Sequence, residues 1–203
     1  MERSNLDRFT TGLQQWFRGL GFTMEFEGIF TTLESVEFCQ ARPVKLETGW
    51  TLVPRPGKRL YSDLVSTKDL SSRKVYDAWL GSVAGCGMAA SAGVPLFDSF
   101  YKWLARGSKP YIPKLGEVMY RQHRTELSEG MEMKSRDPSW EARISFYFAF
   151  DITPQAQLLI ERHFDSLPDP VHGEFIDDPV QVIDSILQLC PPEQGERYDL
   201  GHT

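Results

Sequence analysis

Apolar and polar positions alternate along this chain in two different rhythms, and the rhythm changes near residue 60. Leu6, Phe9, Leu13, Trp16, Phe17 and Leu20 recur at helical spacing, with Asn5 able to cap the start and Gly19 and Gly21 marking the end. Phe22, Met24 and Phe26 then alternate with polar neighbours, as do the residues from Leu33 to Phe38. That predicts two strands around a turn at Gly28. Glu34 to Pro56 reads as a β-hairpin: Pro43 and Val44 open one arm, Glu47-Thr48-Gly49 supplies the turn, and Trp50, Leu52 and Val53 return.

Beyond Leu60 the period becomes helical. A short helix is expected around Lys58 to Leu64. A longer one follows, capped by Ser71 or Ser72, with Val75, Trp79, Leu80 and Val83 on one face and Gly85, Gly87 and Gly93 interrupting or closing it. Val94 to Leu104 predicts another, ended by Gly107 and Pro110. Lys109 to Gly130 carries a charged, helix-compatible stretch, and Met131 to Pro138 reads as loop. Trp140 to Phe150 is helical. Asp151-Ile152-Thr153-Pro154 is a boundary, with Thr153 as N-cap and Pro154 at the first helical position of a helix reaching about Phe164. A short helix from about Val180 to Leu189 precedes a polar end. The expected fold class is α+β and mostly helical. Two or three strands are few for an independent sheet, so the first part reads as a portion of a larger one.

Composition changes this picture through charge. The 203 residues carry a net charge of -6, which argues against nucleic-acid binding over the whole surface. The distribution is uneven. From Ala41 to Arg124 there are 14 Lys and Arg against 6 Asp and Glu, whereas from Asp165 to Thr203 there is 1 against 9. A basic middle with an acidic tail is the pattern of a chain that offers one face to RNA. Arg55, Lys58 and Arg59 cluster at the hairpin exit, where they would suit a polyanion; ordinary solvated charges would look the same. Cys39, Cys86 and Cys190 lie far apart with no C-x-x-C, and the four histidines have no ligand spacing, so neither a disulfide framework nor a zinc site is indicated.

Tests for other chemistries fail on context. Asp177-Asp178 is the sole Asp-Asp and sits in a proline-broken tail, so it reads as a solvated pair. Gly85-Cys86-Gly87-Met88-Ala89-Ala90 spells a dinucleotide fingerprint ending in Ala. That fingerprint needs a strand before it and an acidic residue about 20 positions on; here the preceding pattern is helical. A strand immediately before Gly85 would revive a nucleotide-dependent enzyme.

The spelling of the hairpin carries more information. Glu37-Phe38-Cys39-Gln40 with Pro43-Val44, then a Trp and a basic-Pro segment, resembles motif E, the primer grip, of the RNA-directed RNA polymerases of tombusvirus-like positive-strand RNA viruses. The flanks agree in order. Trp16-Phe17-Arg18-Gly19-Leu20-Gly21-Phe22 resembles that family's motif D region. Gly81 to Tyr101, GSVAGCGMAASAGVPLFDSFY, and Arg143 to Phe164, RISFYFAFDITPQAQLLIERHF, are similar to two phrases of its thumb, with Asp151 where Gly is usual. The resemblance covers about Asn5 to Phe164 and leaves the acidic tail without counterpart.

The resemblance implies the end of a polymerase palm at residues 1–56, a helical thumb at 57–167 and an acidic tail at 168–203. Phe38, Cys39 and Gln40 would brace the 3′ end of the growing strand, and Arg42, Lys45, Arg55, Lys58 and Arg59 would contact phosphates. The catalytic Gly-Asp-Asp would lie upstream of Met1, so this chain would be a C-terminal fragment, inactive alone, holding no catalytic residue and no metal ligand. Mg²⁺ or Mn²⁺ would serve the full-length enzyme. Its partners would be RNA template and product, nucleoside triphosphates, and the upstream palm and fingers. Membranes would be met only indirectly, through a replication complex in the host cytoplasm. Family members commonly place a Lys proton donor on the motif D loop; between Gly19 and Ala41 there is neither Lys nor Arg, so no donor is assigned. The alternative is a self-contained helical RNA-binding or interaction module without catalysis.

Overall fold

The computed structural model describes residues 3–25, 28–67, 69–108, 134–173 and 184–185. The chain forms two compact units, Met1–Thr32 and Leu33–Thr203. The expectations for 109–130 and for Asp177-Asp178 lie outside the described residues, as does nearly all of the helix expected at 180–189.

Among its described residues the first unit holds one helix followed by an irregular segment. Helix α1, Arg3–Gly19, begins before Asn5, which is therefore not its cap. Its end follows the expected chemistry. Gly21 adopts φ 86°, and the N–H groups of Phe22 and Gly21 donate to the carbonyls of Phe17 and Arg18, each at 3.0 Å. This is a Schellman closure, which places Gly at the left-handed position. The strands expected at 22–26 and 33–38 are absent among the described residues: 22–25 is irregular, and Leu33–Ser35 is a single 3₁₀ turn. Alternation predicts a strand only where a neighbour is present to complete its hydrogen bonds, and none is placed there.

The second unit is built on the hairpin. Strands β1, Ala41–Leu46, and β2, Gly49–Pro54, pair antiparallel from Ala41↔Pro54 to Leu46↔Gly49. Gly49 takes φ 124° directly after the Glu47-Thr48 turn, a region closed to most side chains. Period-2 alternation gives the hairpin two faces. Val44, Leu46 and Val53 enter the core, while Trp50 and Leu52 stay exposed at 48% and 53%.

A second, tighter reversal precedes β1. The N–H groups and carbonyls of Phe38 and Ala41 bond reciprocally at 2.9 Å, and Cys39 and Gln40 between them take φ 50° and 63°. Positive φ at both central residues is the signature of a two-residue type I′ turn, which prefers Asn-Gly.

Among the described residues, five helices complete this unit. They are α2, Pro56–Leu64; α3, Arg73–Ser91; α4, Phe97–Arg106; α5, Trp140–Phe150; and α6, Pro154–Ser166. Ser139 and Thr153 cap α5 and α6 by accepting from Ala142 and Ala156. Helix α3 runs unbroken through Gly85 and Gly87, because the second glycine serves packing: a β-carbon there would lie 2.2 Å from the Tyr101 ring of α4. A helix rather than a strand before Gly85 removes the dinucleotide reading.

The core runs from Val44 and Leu60 through Trp79, Leu80, Phe97, Phe100 and Tyr101 to Phe146, Ile160 and Phe164. Phe100 and Phe164 meet edge to face at 5.5 Å, and Trp103 stacks on Phe164. The approach to α4 is strained. Leu96 has φ 68° and ψ -48°, and Phe97 N–H donates to Pro95 O at 2.8 Å, which makes a γ-turn of the rare, strained kind. It is held by Glu161, whose Oε1 accepts from Leu96 N–H at 3.0 Å. The same carboxylate takes both Arg143 guanidinium N–H groups, at 2.9 and 2.8 Å, in a buried bidentate pair.

Two outcomes test this account. Glu161→Gln leaves Arg143 buried without its counter-charge and should cost about 3–5 kcal/mol in urea denaturation. Replacing Cys39-Gln40 by Asn-Gly relieves two left-handed residues and should raise stability by about 1 kcal/mol; an unchanged or lower denaturation midpoint would count against the turn assignment.

Candidate nucleic-acid interface

The hairpin ladder itself collects the candidate residues. Because Phe38 faces Ala41 across the tight turn, Glu37 faces Arg42 one step further along. Because Ala41 pairs with Pro54, Gln40 lies beside Arg55, whose N–H donates to Gln40 O at 3.2 Å. Cross-strand neighbours of this kind meet without any long loop to position them.

Glu37 is where the charges converge. Its Oε2 lies 2.6 Å from Arg55 Nη2 and 3.4 Å from Arg42 Nε. The hydrogen bond from Arg55 holds the Glu37 carboxyl below the usual carboxylate range, and the charges of Arg55 and Arg42 act in the same direction. Arg42 is anchored a second time, donating from Nη1 to Ala149 O at 2.6 Å near the end of α5. Lys58 Nζ donates to the Gln40 side-chain oxygen. Among the described residues Lys58 has no carboxylate partner, and it is exposed.

The remaining candidates stand apart. Lys45, at the far end of β1, pairs with Glu141 at 2.8 Å, and its hydrogen bond to that carboxylate raises its pKa. The Lys45 N–H donates to Ser145 Oγ, which itself donates to Glu34. Arg59 is half-buried and turned inward. Its Nε lies 3.1 Å from Asp63 Oδ2, the same oxygen that accepts from Tyr101 at 2.6 Å. Burial, with the Asp63 charge, pushes the Tyr101 hydroxyl well above its ordinary pKa, so it stays a proton donor. Phe38, at 64% exposure, and the exposed Cys39 project at the turn.

Sequence reasoning thus found the cations but missed their carboxylates. Glu37 was within reach of it, since a two-residue turn at 39–40 puts 37 opposite 42. Glu141, 96 positions from Lys45, gives no local signal. An open groove of about 290 Å³ adjoins Arg42 and Arg55, bordered by Gly57, Phe150, Asp151 and Asp184. Among the described residues no three His, Cys, Asp or Glu side chains converge to hold a metal ion, so these residues do not fit the divalent ions expected of the full-length enzyme. Nor, among them, is any helix long and apolar enough to cross a membrane.

Comparisons with known proteins give the family of the chain. No solved structure matches the chain significantly. The curated RNA-directed RNA polymerase of turnip crinkle virus is 34% identical over 170 residues, 82% of this chain and 22% of that protein. That of tobacco necrosis virus strain A is 32% identical over 81% of the chain and 23% of its own length, and that of oat chlorotic stunt virus 33% over 82% and 23%. The chain therefore spans about a fifth to a quarter of the relatives it matches. The family model described as viral RNA dependent RNA polymerase matches residues 1–168, which takes in the hairpin and the six helices formed by the described residues. The tight turn, the paired arginines and the helices that anchor them thus stand within a chain that belongs to the viral RNA-dependent RNA polymerase family.

Proposed function

We propose that this chain supplies the end of the palm and the thumb of an RNA-directed RNA polymerase that copies viral genomes by template-directed nucleotidyl transfer. Residues 1–56 complete the palm, 57–167 form the thumb, and 168–203 are an acidic extension. The carboxylates that bind the divalent ions belong to another part of the polymerase. The observation that carries this reading is the family match over residues 1–168.

The hairpin's form supports the assigned role. A rigid two-residue turn presents Phe38, Cys39 and Gln40 together, as a brace for the 3′ end of a nascent strand requires. Holding that end in line matters because about 1 Å of misplacement can cost on the order of 10²-fold in rate. Arg42, Arg55 and Lys58 gather beside it, and phosphate contacts from such residues fix register without reading sequence. Lys45 lies further along the same strand and extends the track. Arg59 contributes through the position of α2, since its guanidinium is committed to Asp63. The exposed apolar face of Trp50 and Leu52 fits a hairpin that meets further polymerase structure. Template, product and nucleoside triphosphates are the partners, and the polymerase works in a membrane-associated replication complex of the host cytoplasm.

In the polymerase carrying this segment, Arg55→Ala and Lys58→Ala should each weaken binding of an RNA duplex. Each should also flatten the slope of log affinity against log salt by about 0.7–0.9. Unchanged affinity and slope would remove both residues from the interface. The 203-residue chain by itself should incorporate no labelled nucleotide on a primed template with Mg²⁺ present; robust incorporation would show that the metal-binding carboxylates lie within it.

A further inference from the structure

Glu37 stands where the proposed RNA-binding surface should be most positive. One carboxylate oxygen is shared between Arg55 Nη2 at 2.6 Å and Arg42 Nε at 3.4 Å. These arginines come from the two arms of the hairpin at its open end, and Arg42 is held in place independently by Ala149 O. Two guanidinium groups converging on one anionic oxygen, one of them anchored independently, make a site for a monoanion. A carboxylate and a phosphodiester both carry one negative charge over two terminal oxygens, and both suit the guanidinium fork.

Three features mark Glu37 as a removable occupant. Among the described residues its carboxylate oxygens are contacted by the two arginines alone. The Arg55 side chain is 58% exposed, so this is a solvent-screened pair, and such pairs hold weakly. Finally, the groove beside Arg42 and Arg55 gives a backbone direct access to them.

We infer that Arg42 and Arg55 form a phosphodiester subsite whose place is kept in the free protein by the Glu37 carboxylate, and that an RNA backbone phosphate displaces it on binding. The inference rests on the polymerase reading above. The exchange swaps one anion for another, so the local charge offered to RNA is +1 rather than +2. Glu37 thereby keeps the arginines aligned and also limits how tightly they hold the strand. A grip on RNA that must slip forward after each addition benefits from such a competitor.

The experiment uses the polymerase carrying this segment and a fluorescent RNA duplex, with anisotropy read across a series of KCl concentrations. Glu37→Gln keeps the shape and removes the charge. It should tighten binding by about 3- to 10-fold at low salt and steepen the salt slope by about 0.7–0.9, since one more phosphate is neutralised. Arg55→Gln should weaken binding and flatten the slope; if it changes neither, the polymerase assignment of this surface fails and the inference with it. If Arg55→Gln acts as expected but Glu37→Gln binds as wild type or more weakly, the displacement role alone is overturned. Should Glu37→Gln lower the melting temperature, the double variant E37Q/R55Q decides. It should bind more tightly than R55Q, because Arg42 is then unopposed, and equal or weaker binding overturns the inference.

Discussion

The buried pair between Arg143 and Glu161 is the constraint on which the second unit depends. It joins α5 to α6, and through Leu96 N–H it also holds the strained turn into α4. Gln157 adds a second tie, donating to the carbonyls of Arg143 and Ile152. An ion pair in this position is not a strong stabiliser, since desolvating two charges offsets most of their attraction. Its value lies in geometry. Two apolar side chains of similar volume would fill the space without dictating how α4, α5 and α6 meet.

That geometry reaches the surface through backbone groups. Helix α5 presents Ser145 Oγ to β1 at one end of the strand and Ala149 O to Arg42 at the other. The electrostatics follow from placement: Arg42, Arg55, Lys45 and Arg59 each have a carboxylate close by. These four cations of the hairpin and α2 are thus paired charges and not a bare cationic field. The pairs differ in how firmly they are shut. Arg59 is committed to a nearly fully buried Asp63.

Much of the fold was legible from the chain alone. The hairpin and the caps at Thr153 and Pro154 are local features, and local chemistry determines them. The phrase from Arg143 to Phe164 was legible as a resemblance, and the structure explains its letters: Arg143 and Glu161 pair, Phe146 and Phe164 fill the core, and Gln157 closes the bend. What sequence reasoning lost was whatever needs a distant partner. The strands expected at 22–26 and 33–38 had the alternation but, among the described residues, no neighbour. The glycines of α3 looked like breakers because Tyr101, the ring that requires Gly87, lies fourteen residues away. Of the site, the cations were visible, while the two-residue turn at Cys39-Gln40 and the pairings of Glu37, Glu141 and Asp63 were not.

The hydrogen bond from Arg42 to Ala149 O has a mechanical consequence. A guanidinium tied to the backbone of a helix cannot move independently of it. If α5 tilts by a degree or two about its far end, the arginine at the hairpin mouth is carried along, and its distance to any bound strand shifts with it. A tilt of the helix would then be felt at the hairpin mouth as a displacement of that guanidinium, with a single short hydrogen bond acting as the linkage rod.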